Sequence, residues 1–291
     1  MSTPRSATVS IDADDGEWVH ITPLSDLHIE SDAFDNDGFQ AFMRERCKLP
    51  NHRVILLGDV MDLVVPRDLK RWRPSVQDPK ISGRDDWVNA AIEVAVERLA
   101  IPGAEYDLVI PGNHEDEFVK RHGVDVTSIL AHRLKCQRGG YSGYMHYRLC
   151  SKMMTKSGPK GEKRPRTRIF TMAYHHGAWG GRVIKGFGGA RDWFRGFDGW
   201  HMALYGHNHQ VLIHRENRVR PGRGGAVVHY PVYYVATGSW VESYSEDGKK
   251  THYAERAGHM PTTQYTPLIK VRQRNLGGRG GGWQIEYNAE A

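Results

Sequence analysis

The sequence predicts an α/β fold with two sheets in its core. Three observations carry this. Short apolar strands alternate with helix-spaced apolar stripes from Trp18 to Leu134, and from Val211 onward the texture becomes β-rich. A hydrophobic content of 39% beside 25% charged residues excludes a disordered or collagen-like chain. Alternation first and strands afterwards implies α/β layering over a core that includes a second, more antiparallel sheet. The 291 residues suffice for a single domain spanning 1–291, with insertions expected at about 65–84 and 151–167.

Trp18 to Leu24 reads as the first strand and leads into Ser25-Asp26-Leu27-His28. Phe39, Phe42, Met43 and Cys47 recur at helical spacing. Val54 to Leu57 is a run of four branched apolar residues, the pattern of a strand buried on both faces, and Gly58-Asp59 ends it. Residues 65–84 hold Pro66, Pro74 and Pro79 among several basic residues and read as a long loop or lid. A helix from Asp85 carries the stripe Val88, Ile92, Val96 and Leu99 and stops at Pro102-Gly103. Asp107 to Ile110 is a third buried strand, opening into Gly112-Asn113-His114-Glu115, and two helical pieces divided near Gly123 follow. Tyr144 to Leu149 and Arg168 to Tyr174 read as strands, the second ending in His175-His176-Gly177. A short helix is expected around Ala190 to Phe194, and Met202 to Tyr205 is a strand ending in Gly206-His207-Asn208-His209. Val211 to Ile213, Ala226 to Tyr230 and Val232 to Ala236 read as separate strands. The glycine-rich links Pro221 to Gly225 and Gly277 to Gly282 read as hairpin loops.

The formal net charge is +6. The segment Ser151 to Arg168 holds seven Lys and Arg against Glu162, so this one basic loop matches the whole excess. Such a loop attracts polyanions or simply stands in water. The three cysteines, Cys47, Cys136 and Cys150, fit no zinc spacing and read as free thiols of a reducing compartment, hence a cytoplasmic location. Met1 to Gly16 lacks the apolar core of a signal peptide, and no apolar run is long enough to cross a bilayer, so no membrane partner is expected.

The chemistry lies in the strand ends, which supply Asp26 and His28, then Asp59, then Asn113 and His114, then His175 or His176, then His207 and His209. Each block alone reads as a helix cap or polar turn. Five blocks at the ends of apolar strands can converge on one sheet edge, where α/β folds place their sites. Oxygen and imidazole donors without a thiolate suit divalent Mn, Fe, Zn, Co or Ni. The donors outnumber the needs of one ion; two ions about 3.5–4 Å apart would use them all and clamp both oxygens of an in-line displacement. Adjacent strand residues point to opposite faces, so only one of His175 and His176 joins the set.

The series Asp26-Leu27-His28, Gly58-Asp59, Gly112-Asn113-His114-Glu115, His176-Gly177 and Gly206-His207-Asn208-His209 resembles, complete and in order, the motifs of the calcineurin-like metallophosphoesterase superfamily. The resemblance implies a four-layer αββα arrangement, a two-sheet β-sandwich core flanked by helices. It implies that Asp26, His28 and His209 hold one divalent ion, that Asn113, His176 and His207 hold another, and that Asp59 bridges them. Manganese is the first expectation for both ions. A metal-bridging hydroxide would attack phosphorus in line, His114 would donate a proton to the leaving oxygen, and Glu115 would orient the His114 imidazole. The Gly after His176 selects His176 over His175. The Arg-Gly that follows the second Asp in the protein serine/threonine phosphatases is absent after Asp62, which argues against that branch. Asp62 itself reads either as a residue that orients a ligand or as a helix N-terminal carboxylate.

The expected substrate is a phosphate ester, with a phosphodiester, nucleotide or nucleic acid favoured by the basic segments. Arg67, Lys70, Arg71 and Arg73, with Trp72 among them, are the candidate substrate contacts. The alternatives are a phosphomonoesterase acting on a small molecule or phosphoprotein, and a catalytically silent metal-binding scaffold on the same fold.

Overall fold

The computed structural model describes residues 5–64, 78–156, 163–179, 186–222, 225–244, 264–276 and 283–291. The chain runs β1 (Arg5–Asp12), β2 (Val19–Leu24), α1 (Asn36–Arg46), β3 (His52–Leu57), α2 (Trp87–Leu99), β4 (Tyr106–Ile110), α3 (Asn113–His122), α4 (Val126–Leu134), β5 (Gln137–Arg138), β6 (Ser142–Lys156), β7 (Lys163–His175), α5 (Phe187–Arg195), β8 (Met202–Tyr205), β9 (Val211–Pro221), β10 (Val227–Thr237), β11 (Leu268–Asn275) and β12 (Trp283–Glu290). Among the described residues these form two mixed six-stranded sheets, ordered β1-β6-β7-β8-β10-β9 and β12-β11-β2-β3-β4-β5.

Period-two alternation sorts the side chains into layers. Ile55 and Leu57 of β3 and Leu108 and Ile110 of β4 face the other sheet, where Met145, Tyr147, Phe170, Met172 and Leu204 meet them. Val54, Leu56 and Val109 face outward and are covered by Met43, Ala91, Ala95, Leu99 and Leu130 of α1, α2 and α4. On the far side, Phe187, Ala190 and Phe194 of α5 pack on Ala203, Tyr205, Val232 and Tyr234. The order helix, sheet, sheet, helix is the layering expected. Burial on both faces is why β3 and β4 read as unbroken apolar runs.

Four readings change. Strand β1 was not foreseen in the polar N-terminal stretch; it pairs in parallel with β6, from Arg5 opposite Gly143 to Asp12 opposite Cys150. The basic segment is not a plain loop. Its arms are strand, with Met154 opposite Pro165 and Lys156 opposite Lys163, and only 157–162 lie outside the described residues. Ala226 to Ala236 is not two strands, because β10 runs through Pro231. The Tyr233 N–H points to His201 on the β8 side, so position 231 faces the same way. There β8 does not begin until Met202, opposite Tyr233, and a missing N–H removes no ladder bond. In α2 the buried arc is Ala90, Ala91, Ile92, Val94, Ala95 and Leu99, while Val88 and Val96 are only partly covered. Small alanines let the helix approach the sheet closely, which a search for large apolar residues overlooks. The link at 277–282 and the expected lid at 65–77 lie outside the described residues.

Candidate metal centre

Strands β2, β3, β4, β7 and β8 end at one edge of the sandwich, and each end turns sharply. Asp26, His28, Asp59, His207 and His209 all hold positive φ, between 47° and 71°. This left-handed conformation is uncommon for residues with a side chain and most tolerated by Asp, Asn and His. It is held by bonds between loops: the Asp26 N–H donates to Gly58 O (3.1 Å), the Leu27 N–H to Asp59 O (2.9 Å) and the Ile29 N–H to Val60 O (3.0 Å). Gly58 allows the approach of the β4 end. A Cβ there would lie 2.6 Å from both Gly112 N and His176 Nδ1. Gly112 is under the same constraint, since a Cβ on it would overlap the Asp59 carboxylate.

Three ligand-competent groups result: Asp26, His28 and His209; His28, Asp59 and His114; and Asp59, His176 and His207, each with donor atoms within 4.8 Å of one another. Asn113 adds its carbonyl oxygen, 3.1 Å from His176 Nε2 and 2.8 Å from His207 Nδ1. The seven residues expected as ligands are therefore together, and Asp59 belongs to two of the groups. His176 Nε2 lies 3.2 Å from Asp59 Oδ2, while its Nδ1 donates to Leu57 O at 2.8 Å, which fixes the ring. His175 points the other way: it accepts from the Gly177 N–H at 2.8 Å and packs on Tyr141, Trp179 and Trp193.

Electrostatics mark this as a place for positive charge. Burial opposes ionisation of Asp59, yet His176, His114 and His28 outweigh it and hold the carboxyl far below its usual range. Burial would deprotonate His176, but Asp59 and Asp26 hold its pKa up at about 9. His114 behaves likewise: burial is overcome by the hydrogen bond it donates to Asp62 and the charges of Asp59 and Asp62, which keep it at about 10. Burial brings His209 down to about 4, so its imidazole is neutral at pH 7. Carboxylates that retain protons on nearby imidazoles would equally retain a divalent cation, which competes for the same lone pairs.

The role expected for Glu115 is corrected. Its carboxylate does not orient His114. It is fully enclosed and accepts the N–H groups of Asp59 (3.0 Å), Met61 (3.0 Å) and Gly112 (2.8 Å), tying the β3 and β4 ends together. Asp62 orients instead. Its Oδ1 lies 3.1 Å from Nδ1 of both His28 and His114, and its backbone oxygen lies 2.6 Å from His114 Nδ1. Ser25, Thr237 and Ser239 were not foreseen. The Ser25 hydroxyl bonds the Asp26 carboxylate and lies 2.5 Å from Thr237 Oγ1, while the Ser239 hydroxyl donates to Asp26 O at 2.7 Å. Nothing in a serine following a strand marks such a brace. Arg67, Lys70, Arg71 and Arg73 lie outside the described residues.

No family model and no curated protein matches the chain. Among solved structures it is similar to Vps29 of Entamoeba histolytica, crystallised with Zn²⁺, at 11% identity and a TM-score of 0.33, covering 93% of this chain and 99% of that one. It is also similar to Vps29 of Chaetomium thermophilum, at 8% identity and a TM-score of 0.30, covering 94% and 95%.

Proposed function

We propose that the chain is a phosphoric ester hydrolase that works with two divalent metal ions, manganese first among the candidates. One observation carries the reading. Among the described residues, Asp26 Oδ1 and His28 Nε2 are buried without a hydrogen-bond partner, Asp26 Oδ1 standing 3.5 Å from His209 Nε2, and both belong to the ligand-competent group with His209. Buried polar atoms without partners are costly, and a cation supplies what these two lack. Asp26, His28 and His209 would hold one ion and Asn113, His176 and His207 the other, with Asp59 common to both. When bound, such a pair acidifies water and neutralises phosphoryl oxygens.

The chain's own residues do the rest. The neutral Asn113 carbonyl oxygen limits the negative charge that an incoming phosphate meets. His114, kept protonated by Asp59 and Asp62, donates its proton to the departing oxygen. Asp62 holds the His114 and His28 rings through their Nδ1 atoms. The basic stretch 151–168 supports a polyanionic substrate, a nucleotide or nucleic acid, over a small phosphomonoester. The half-buried free cysteines are in keeping with a reducing compartment.

The test is hydrolysis of bis-nitrophenyl phosphate and nitrophenyl phosphate by the metal-stripped protein, before and after Mn²⁺ is restored. Turnover is expected only with metal and to be faster on the diester. Asp59→Asn should abolish it together with at least one bound ion. Equal activity in chelator would overturn the reading, and full metal binding without activity on any ester would make the chain a metal-binding scaffold.

A further inference from the structure

Outside this centre, α5 and β9 enclose an open cavity of about 540 Å³ lined by Arg191, Arg195, His214, Glu216, Asn217 and Arg218. The sequence explains its charge. Arg191 and Arg195 are one helical turn apart on α5, and His214, Glu216 and Arg218 alternate along β9 so that they share a face. Among the described residues β9 is the edge strand of its sheet, and α5 packs beside that face, with Phe187 against His214 and Arg191 paired with Glu216.

The cations converge on one carboxylate oxygen. Glu216 Oε1 is ion-paired with Arg191 Nε and lies 3.9 Å from Arg195 Nη2 and 3.7 Å from His214 Nε2. The Glu216 side chain is 15% exposed against 38%, 48% and 43% for Arg191, Arg195 and His214, so the cations stand at the rim around a deeper acid. Arg218 has neutral partners among the described residues. It donates to the Tyr234 hydroxyl at 2.9 Å and lies 4.4 Å over the Trp200 ring, both on the buried floor. Asp192, 3.7 Å from Arg195 Nη1, is 77% exposed and lies outside the lining. Three guanidinium groups thus face one lining carboxylate, a surplus of two positive charges among the arginines and Glu216.

We propose that this cavity is a second site, separate from the metal centre, that binds a phosphoryl oxyanion. Guanidinium forks match tetrahedral phosphate oxygens in pairs, and a rim of such forks that outnumbers the one lining carboxylate has charge left for a further oxyanion. None of the lining residues belongs to the ligand-competent groups. The site therefore stands whether or not the centre is catalytic. The phosphoryl group comes either from free phosphate or from the backbone of a strand. The second source is within reach, because β9 begins two residues after His209 and His214 lies ~10 Å farther along it.

The experiment uses the full chain, stripped of metal and dialysed free of chelator. Inorganic phosphate is titrated calorimetrically, and a labelled 12-nucleotide single strand is titrated by anisotropy over a salt series. Saturable phosphate binding is expected, at least ~10-fold weaker in Arg191→Ala/Arg195→Ala and several-fold tighter in Glu216→Gln, which removes the internal competitor. If a strand is the source, the oligonucleotide binds more tightly than phosphate, and its log K against log[salt] slope flattens by about 1.4 in the double variant. If phosphate binds as well as the oligonucleotide, free phosphate is the source. Absence of saturable binding by either probe, or binding unchanged in both variants, overturns the proposal. Misfolding cannot mimic the expected pattern, since one variant loses affinity and the other gains it.

Discussion

Glu115 shows how a residue inside a functional motif can serve the backbone rather than the substrate. Three buried N–H groups, those of Asp59, Met61 and Gly112, share its two oxygens. Glu115→Ala leaves all three without an acceptor and is expected to cost ~3 kcal/mol or more, while Glu115→Gln keeps an acceptor and costs ~1–2 kcal/mol. Urea unfolding of both variants checks this. An alanine variant as stable as the parent but slow in turnover would return Glu115 to a direct catalytic role. Asp62 acts differently, because its Oδ1 touches two imidazoles rather than a strand end. Asp62→Asn removes the charge that keeps His114 protonated while leaving a similar shape. Turnover should fall ~10–100-fold, with the acidic-donor limb of the pH–rate profile moved to lower pH. Metal content and melting temperature should change little, and loss of metal equal to that of Asp59→Asn would place Asp62 in the ligand shell.

At the scale of elements, the strand pair β2–β3 carries the centre, and its far end holds a histidine with a separate consequence. His52 is buried; its Nε2 lies 2.8 Å from Thr22 Oγ1 on β2, and its Nδ1 has no hydrogen-bond partner among the described residues. Burial, then the neighbouring His20, Arg46 and Arg53, bring its pKa down to about 4. The unfolded chain titrates this group near the ordinary histidine value, so between about 6.5 and 4 the unfolded state binds more protons than the folded one. Stability is therefore full above pH 6.5 and is lost as pH falls toward 4, by ~1–3 kcal/mol for this group. Urea midpoints at pH 7 and pH 5 test this. His52→Gln should shrink the drop between them, and an unchanged drop would assign it to other groups. The strand ends themselves owe their turns to Gly58 and Gly112, where backbone and side chain approach too closely for a Cβ.

Across the whole molecule, the two sheets place five strand ends at one edge, and the edge concentrates strain and charge. Asp26 and Asp59 are buried there, and five residues hold left-handed backbone. Each such residue costs ~1 kcal/mol or more, so the unliganded centre lowers the stability of the fold. A ligand that binds only the folded state recovers some of it. Adding Mn²⁺ to the metal-stripped protein at about 100 times its dissociation constant should stabilise it by ~2.7 kcal/mol, seen as a rise of several degrees in Tm. Asp59→Asn should blunt the rise. A Tm indifferent to every divalent metal would leave the centre without a ligand.

The sequence by itself determined the strands that are apolar on both faces and the polar residues that end them. Those signals are local: burial on two faces demands an unbroken run such as Val54 to Leu57, and a charged or imidazole residue directly after it marks the edge. Alternation along β7 showed only that one of His175 and His176 joins the set; the Gly after His176, through the family resemblance, pointed to which. What only the tertiary structure decided depends on a partner distant in the chain. Arg5 to Asp12 becomes a strand because β6 offers it an open edge, Pro231 is tolerated because β8 stops short of it, and Asp62 rather than Glu115 faces the His114 ring. A side chain's type announces what it can bond, but which buried group lacks a partner is settled only when separate segments are packed together.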